Sequence, residues 1–448
     1  MLKKIVKTPI ATLENDMTLS LPTTVHIELT SSCCFSCRHC YNFWRPEKTK
    51  PVFMSQAELD RILDELIKNG IMHVIFTGGE PLLNSPLLLQ GIKKAKGAGA
   101  SVTCNSTLAV ANSAGKLKKL KEAGLEHVLT SLNSHIPERN DYLVSMKGAY
   151  AKIVDGIKNA VSVGIRISVN MIISETNIGD IYETAKLASE LGAKKFFGTR
   201  VTPHITKDVN EQKEFLIYQK EARRIIDELM RVEKDFPMQV GTLVPFPLCL
   251  LVGDDDKKRY AKFYSHGCPA GNKMISLNAN GDAHACVHEK ESYGNIFEAG
   301  LKGVWANMKK WRSGEYFPDE CKACEMFDEC NGGCRLCALA YAGRMSSADI
   351  LRIGWPVKPK GRVAEKEPTV KLSGLKCSVP SNLRFRKEDG FYMIDRFGSE
   401  ILCVKDDIAL ILEAWHKKGG TFSPADFGLK DEAIVGKLIK EKLLNEEK

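Results

Sequence analysis

The segment SSCCFSCRHCYNF, residues 31 to 43, places four cysteines within thirteen positions. Cys33, Cys37 and Cys40 read C-x3-C-x2-C, a spacing that lets three thiolates converge on one metal cluster and leaves one position without a ligand from the chain. An open position is what chemistry at a metal requires. Zinc is the bland alternative, but no fourth Cys or His follows at finger-like spacing. A second group lies downstream. Cys268 and Cys286 bracket Gly281 as C-x12-G-x4-C, and Cys321, Cys324, Cys330 and Cys334 read C-x2-C-x5-C-x3-C, with Cys337 close behind and Cys249 upstream in PFPLC. Between the two groups stands FTGGEP, residues 76 to 81. Its glycines expose backbone for close approach, and its carboxylate can pair with an ammonium.

Composition bounds what surrounds these thiols. The chain has 448 residues, 44% hydrophobic and 27% charged, which suits a soluble globular protein of two or three domains. MLKKIVKTPIATLENDM has the charges of a signal peptide without its apolar stretch. The best apolar run, LVPFPLCLLVG at 243 to 253, falls short of the roughly 18 residues that cross a bilayer. A cytoplasmic location is expected, with no membrane partner, and fifteen cysteines in a reducing compartment point to metal rather than disulfides. The formal charge of +9 is mild for this length, so nucleic acid is not an expected partner.

The elements that must hold the thiols alternate. TVHIELT (24 to 30) reads as a strand, and SQAELDRILDELIKNG as a helix with a Ser55/Glu58 capping box, an apolar face of Leu59, Ile62, Leu63, Leu66 and Ile67, and a stop at Gly70. Further strands are expected at 73–79, 101–106, 127–133, 166–173 and 194–201, with helical periods between them. Six strand-helix units predict parallel strands with right-handed crossovers in a partial (β/α)6 TIM-like barrel. Its site would lie at the carboxyl ends of the strands, where the cysteine loop falls. His26, His73 and His127 fall in or near strands and are expected to be core residues. Cys34, Cys104 and Cys403 are expected to be packed thiols.

Taken together, C-x3-C-x2-C with His39 before the last cysteine and GGEP one strand later resemble the radical S-adenosylmethionine superfamily. The resemblance implies a four-iron four-sulfur cluster on Cys33, Cys37 and Cys40. S-adenosyl-L-methionine would bind near His39, Gly78, Gly79, Glu80 and Pro81, and Asn105, Ser131, Asn170 and Arg200 at later strand ends are further candidate contacts. One electron, from a donor of the flavodoxin or ferredoxin type, would then release a 5′-deoxyadenosyl radical.

The downstream cysteines resemble the SPASM extension of that superfamily, which implies two auxiliary four-iron four-sulfur clusters. Cys268, Cys286 and Cys334 would serve the first, with Cys249 as a candidate fourth ligand; Cys321, Cys324 and Cys330 would serve the second. The family's closing cysteine is missing from SSADILRIGW, so Cys337, then Cys377, or an open site would stand in. Relatives that oxidise sulfatases carry an acidic residue after the cysteine equivalent to Cys286. Val287 stands here, which disfavours that activity and leaves the catalytic base unidentified.

The expected domains are a barrel (1–235), an auxiliary-cluster domain (236–352), a Pro-rich linker (353–375) and a small winged-helix-like module (376–448). The module is read as two strands, NLRFRKEDGFYMID and SEILCVKDD, followed by helices. It carries 13 basic and 13 acidic residues, so the basic footprint of a DNA reader is missing. It loosely resembles domains that bind leader peptides by adding a strand to a sheet edge. The expected function is modification of a peptide or small protein, by crosslink or oxidation. The alternatives are oxidation or decarboxylation of a small molecule such as a tetrapyrrole, and a non-catalytic redox sensor.

Overall fold

A computed structural model describes residues 10–12, 19–42, 50–111, 113–205, 209–250, 268–324, 327–353, 369–395 and 401–447. Most of the expected linker, residues 354–368, lies outside them, as do 251–253 of the apolar run. The chain divides into two compact units, Leu21–Pro359 and a second that combines Met1–Ser20 with Lys360–Lys448. The first strand, β1 (Ile10–Thr12), therefore belongs with the C-terminal module and not with the barrel.

In the larger unit, β2 (Thr24–Glu28), β3 (His73–Thr77), β4 (Ser101–Asn105), β5 (His127–Ser131), β6 (Arg166–Ile173) and β7 (Lys195–Arg200) pair in sequence order, all parallel. These are the six expected strands of the partial barrel. Three short strands extend the sheet. β8 (Gln239–Gly241) runs parallel beside β7; β9 (Met274–Leu277) runs parallel beside β2 and turns back into β10 (Ala283–His284). The barrel and the cysteine-rich region thus share one nine-stranded sheet inside one compact unit.

The first crossover helix shows why the units close as they do. Ser55 Oγ accepts from Glu58 N–H at 3.3 Å, and Glu58 Oε2 accepts from Ser55 N–H at 2.7 Å. Helix Gln56–Lys68 starts on this reciprocal cap. It buries Leu59, Ile62, Leu63 and Leu66, whereas Ile67, expected on the same face, is 39% exposed. At 100° per residue, position 67 lies at the margin of that stripe.

In the smaller unit, β12 (Arg384–Glu388), β13 (Phe391–Asp395) and β14 (Leu402–Lys405) form an antiparallel sheet that β1 completes at the β14 edge. The stretch expected as one strand is a hairpin, because Gly390 adopts φ +88° in the Asp389-Gly390 turn. A second sheet joins β15 (Thr421–Phe422), β11 (Lys376–Ser378) and β16 (Asn445–Glu447). The core gathers around Trp415, which stacks on Phe427 with ring centroids 4.6 Å apart. Val370, Leu372 and Leu375 pack on that core, so the end of the expected linker belongs to the module.

Candidate active site and cluster ligands

The cysteine loop leaves the carboxyl end of β2 and is fixed through its backbone. Ser31 N–H donates to Val52 O at 3.0 Å and Val52 N–H to Ser31 Oγ at 2.9 Å; Arg38 N–H donates to Leu143 O at 2.9 Å, while its guanidinium lies 4.0 Å over the Tyr142 ring. Phe35 is buried and pins the middle of the loop. Cys33, Cys37 and Cys40 are half-buried around this anchor, and none of the fifteen cysteines is in a disulfide. Cys34 turns away: its sulfur lies 3.6 Å from the Thr107 hydroxyl, and a hydrogen bond with Cys33, then burial, hold it as a thiol.

GGEP grips this loop from behind. Gly79 N–H donates to Thr30 O and Glu80 N–H to Ser32 O, both at 2.8 Å. A Cβ on Gly78 would lie 2.4 Å from Thr30 O, and one on Gly79 2.0 Å from Ser32 O. The glycines are therefore required by the approach of the cysteine loop itself. The Glu80 carboxylate, expected to pair with an ammonium, is fully buried and accepts from Leu82 N–H, the Ser106 hydroxyl, and both the N–H and hydroxyl of Thr107. It locks the loop after β4 to the loop after β3. Pro81 is buried at the start of the following turn.

The later strand ends divide by face. Ser131 and Asn170 are direct partners across β5 and β6, and Asn170 Oδ1 accepts from the Thr199 hydroxyl at 2.6 Å. Asn105 ends β4, half-buried. Arg200 pairs with Ile173, three residues beyond Asn170, and so projects from the opposite face of the sheet. That face is the helix-packed one, since a Cβ on Gly198 would meet Leu229 at 2.6 Å. The Arg200 guanidinium, expected among the candidate cofactor contacts, is buried in a two-pronged ion pair with Asp349 and donates to Pro245 O at 2.9 Å.

Asp349 is the residue sequence reading underused. Besides Arg200 it accepts from Cys334 N–H at 2.8 Å and Leu351 N–H at 3.0 Å. Gly333 has φ +83°, and a Cβ there would lie 2.6 Å from Asp349 Oδ2. The C-x3-C spacer Asn331-Gly332-Gly333 is thus shaped around this carboxylate. Buried Arg335 ties the same segment to the carbonyls of Tyr316, Met345 and Ser347.

The auxiliary thiols fall into two groups. Cys268 and Cys286 lie near each other and near Cys334, and burial above all pushes both thiols up, Cys268 to about 12. Cys337 hydrogen-bonds to Cys334 and, helped by Arg200 and against burial, lowers its thiol below the ordinary value; the Cys337 sulfur lies 3.8 Å from the Thr202 hydroxyl. Cys337, expected with the second set, therefore stands with the first. Cys249, expected with the first, lies beside Cys330 and Cys321: burial, and further down the Cys249 and Cys321 sulfurs, push Cys330 up to about 11. Cys377 lies in the core of the smaller unit, on β11 between β15 and β16. Gly281 takes φ +86° against the Phe297 ring, the reason for the glycine in C-x12-G-x4-C.

Tyr41, next to Cys40, packs against His288, two residues after Cys286, with ring centroids 4.4 Å apart. The open-cluster loop and the auxiliary hairpin meet at this contact, beside β2. Burial pushes His288 and His39 down to about 4, so both rings are neutral. Burial likewise pushes the Glu28 carboxyl, at the end of β2, up to about 8. Neither Glu28 nor the Tyr41–His288 contact carries a motif that sequence could reveal. Backbone N–H groups aim at three cluster-type sulfurs: His288 at Cys286 (3.5 Å), Leu248 at Cys330 and Ile353 at Cys249 (both 3.4 Å). Such bonds suit thiolates on iron, and the donor set fits iron–sulfur clusters.

The comparisons agree with this geometry. Residues 27–188 match the family model of the radical SAM superfamily, and residues 268–338 match SPASM, an iron-sulfur cluster-binding domain. The chain belongs to the radical SAM superfamily. Within it the chain falls in the SPASM subgroup, whose cofactors are S-adenosyl-L-methionine and four-iron four-sulfur clusters. It is 27% identical over 346 residues to the PqqA peptide cyclase of Methylobacterium sp. (strain 4-46), covering 74% of this chain and 86% of that protein. It is also 27% identical over 348 residues to the Fe-coproporphyrin III synthase of Methanosarcina barkeri, covering 72% and 85%. Streptococcus suis SuiB bound to its precursor peptide SuiA shares the fold, with a TM-score of 0.58 and 18% identity over 74% of this chain and 76% of that one. Among the described residues, no helix is long and apolar enough to cross a membrane.

Proposed function

We propose that this protein is a radical enzyme that modifies a peptide or small protein, forming a crosslink or an oxidised residue, in a reducing cytoplasm. The observation that carries the reading is the Tyr41–His288 contact, which joins the three-cysteine loop to the auxiliary-cluster hairpin. Cys33, Cys37 and Cys40 would hold the first cluster, and Cys268, Cys286, Cys334 and Cys337 an auxiliary one. When bound, the first cluster and S-adenosylmethionine supply a 5′-deoxyadenosyl radical by one-electron cleavage of the sulfonium.

The chain's own residues do the rest. The backbone of Gly78, Gly79 and Glu80 holds the loop in place, and Asn105, Ser131 and Asn170 offer polar groups at neighbouring strand ends to orient the cofactor. Buried, neutral His39, His288 and protonated Glu28 keep the centre poor in charge and water, which a radical requires. In the smaller unit, a sheet edge of the kind that β1 occupies on β14 is where a substrate peptide would add as a strand. A relative that makes a tetrapyrrole, the coproporphyrin synthase, supports a second reading in which the substrate is a small molecule.

The test is an anaerobic assay of reconstituted protein with strong reductant, reading 5′-deoxyadenosine and iron together. Cleavage with about twelve irons per chain is expected for three clusters. Iron without cleavage would overturn the enzyme in favour of a redox sensor.

A further inference from the structure

A four-iron four-sulfur cluster takes four protein ligands when it is fully held by the chain. Cys321, Cys324 and Cys330 supply three from one short segment, and residues 338 to 353 after it contain no cysteine. The fold brings a fourth from upstream. Cys249 sits on the single turn Leu248–Leu250, which is bonded to the cysteine segment through Leu248 and to the chain after that segment through Cys249. Leu248 N–H donates to Cys330 Sγ, and Ile353 N–H donates to Cys249 Sγ, each at 3.4 Å. The thiol thus lies beside the chain that follows the last cluster cysteines, while the residue before it reaches the Cys330 sulfur. Cys249 and Cys321 are both about nine-tenths buried. The other candidates are engaged elsewhere: Cys337 with Cys334 and Thr202, and Cys377 within the core of the smaller unit.

We propose that Cys249 is the closing ligand of the second auxiliary cluster, completing Cys321, Cys324 and Cys330 from the Leu248–Leu250 turn. The assignment rests on the reading of this chain as a cluster enzyme, and it moves Cys249 from the first auxiliary set to the second. A ligand supplied from outside the C-x2-C-x5-C segment ties the end of the barrel region to the cluster segment.

Membership of a cluster can be read from non-additivity. In a Cys33→Ala, Cys37→Ala, Cys40→Ala background the two auxiliary clusters should leave about eight irons per chain after anaerobic reconstitution. No iron in this parent would sink the cluster reading itself, independently of the ligand assignment. Adding Cys249→Ala should remove about four irons. Adding Cys330→Ala to Cys249→Ala should remove no more, because both act on one cluster. Adding Cys334→Ala to Cys249→Ala should remove nearly all. The reverse pattern, additive loss with Cys330→Ala and none beyond the first with Cys334→Ala, overturns the assignment. Where Cys249→Ala fails to fold, Cys249→Ser decides: iron and electron paramagnetic resonance spectrum both identical to the parent would show that Cys249 is not a ligand.

Discussion

One oxygen of Glu80 accepts two hydrogen bonds from a single residue, the backbone N–H of Thr107 at 2.8 Å and its hydroxyl at 2.6 Å. The other oxygen takes Leu82 N–H at 3.0 Å and the Ser106 hydroxyl at 2.7 Å. A carboxylate has about four acceptor sites, so this one is saturated by its own protein. Glu80→Gln turns an acceptor into a donor that faces donors, and should destabilise the larger unit by about 2–4 kcal/mol. Chemical denaturation measures this. Unchanged stability with weakened binding of S-adenosylmethionine would show instead that the carboxylate serves the ligand.

Gly79 tests the same clamp through shape. A methyl group at this position meets backbone, not a flexible side chain, so the cysteine loop itself must shift. Gly79→Ala is expected to reduce the iron bound at Cys33, Cys37 and Cys40 by more than half while the auxiliary iron is retained. Equal loss from all sites, measured by iron count against the triple Cys→Ala variant, would mean general unfolding.

These two residues also mark how far the sequence could be read. The six barrel strands, the capped first helix and the three-cysteine loop follow from period, capping chemistry and spacing, each a local signal. GGEP was legible as a motif, but its physical role was not, because the atoms that crowd Gly79 belong to Ser32, far away in sequence. The same limit hid the partners of Cys249 and Cys337. Spacing along the chain cannot show that residue 249 returns to residue 353. The face of Arg200 is hidden for a different reason: at the end of β7 a one-residue shift changes the face, and only the register with Ile173 settles it.

Asp349 joins three parts of the larger unit, so its loss should be severe. Asp349→Ala leaves the buried Arg200 guanidinium without its counter-charge and Cys334 N–H without its acceptor. A penalty of about 3–5 kcal/mol is expected, as for other broken buried pairs. The double variant Arg200→Met, Asp349→Leu should recover part of it, because no isolated charge remains. If the double variant is no more stable than Asp349→Ala, the harm lies in the lost Cys334 contact and not in the stranded charge.

Glu28 gives the protein a pH dependence of definite sign. Burial raises its carboxyl from the ordinary 4.5 to about 8, so the folded protein holds a proton that the unfolded chain releases. The proton favours the folded state fully below about 4.5, and this advantage is lost progressively as pH rises through 8. The larger unit should lose stability from about pH 4.5 to about pH 8 by an amount on the order of a few kcal/mol, less whatever other groups contribute. Glu28→Gln keeps the shape and remains neutral throughout, and should flatten the profile while raising stability most at the alkaline end. Denaturant midpoints across that range, wild type against variant, decide the matter. Parallel profiles would mean that Glu28 is already ionised in the folded protein and paired with a group that offsets its burial. In that case the centre would not be poor in charge, and the protection it gives a radical would have to come from the substrate closing over it.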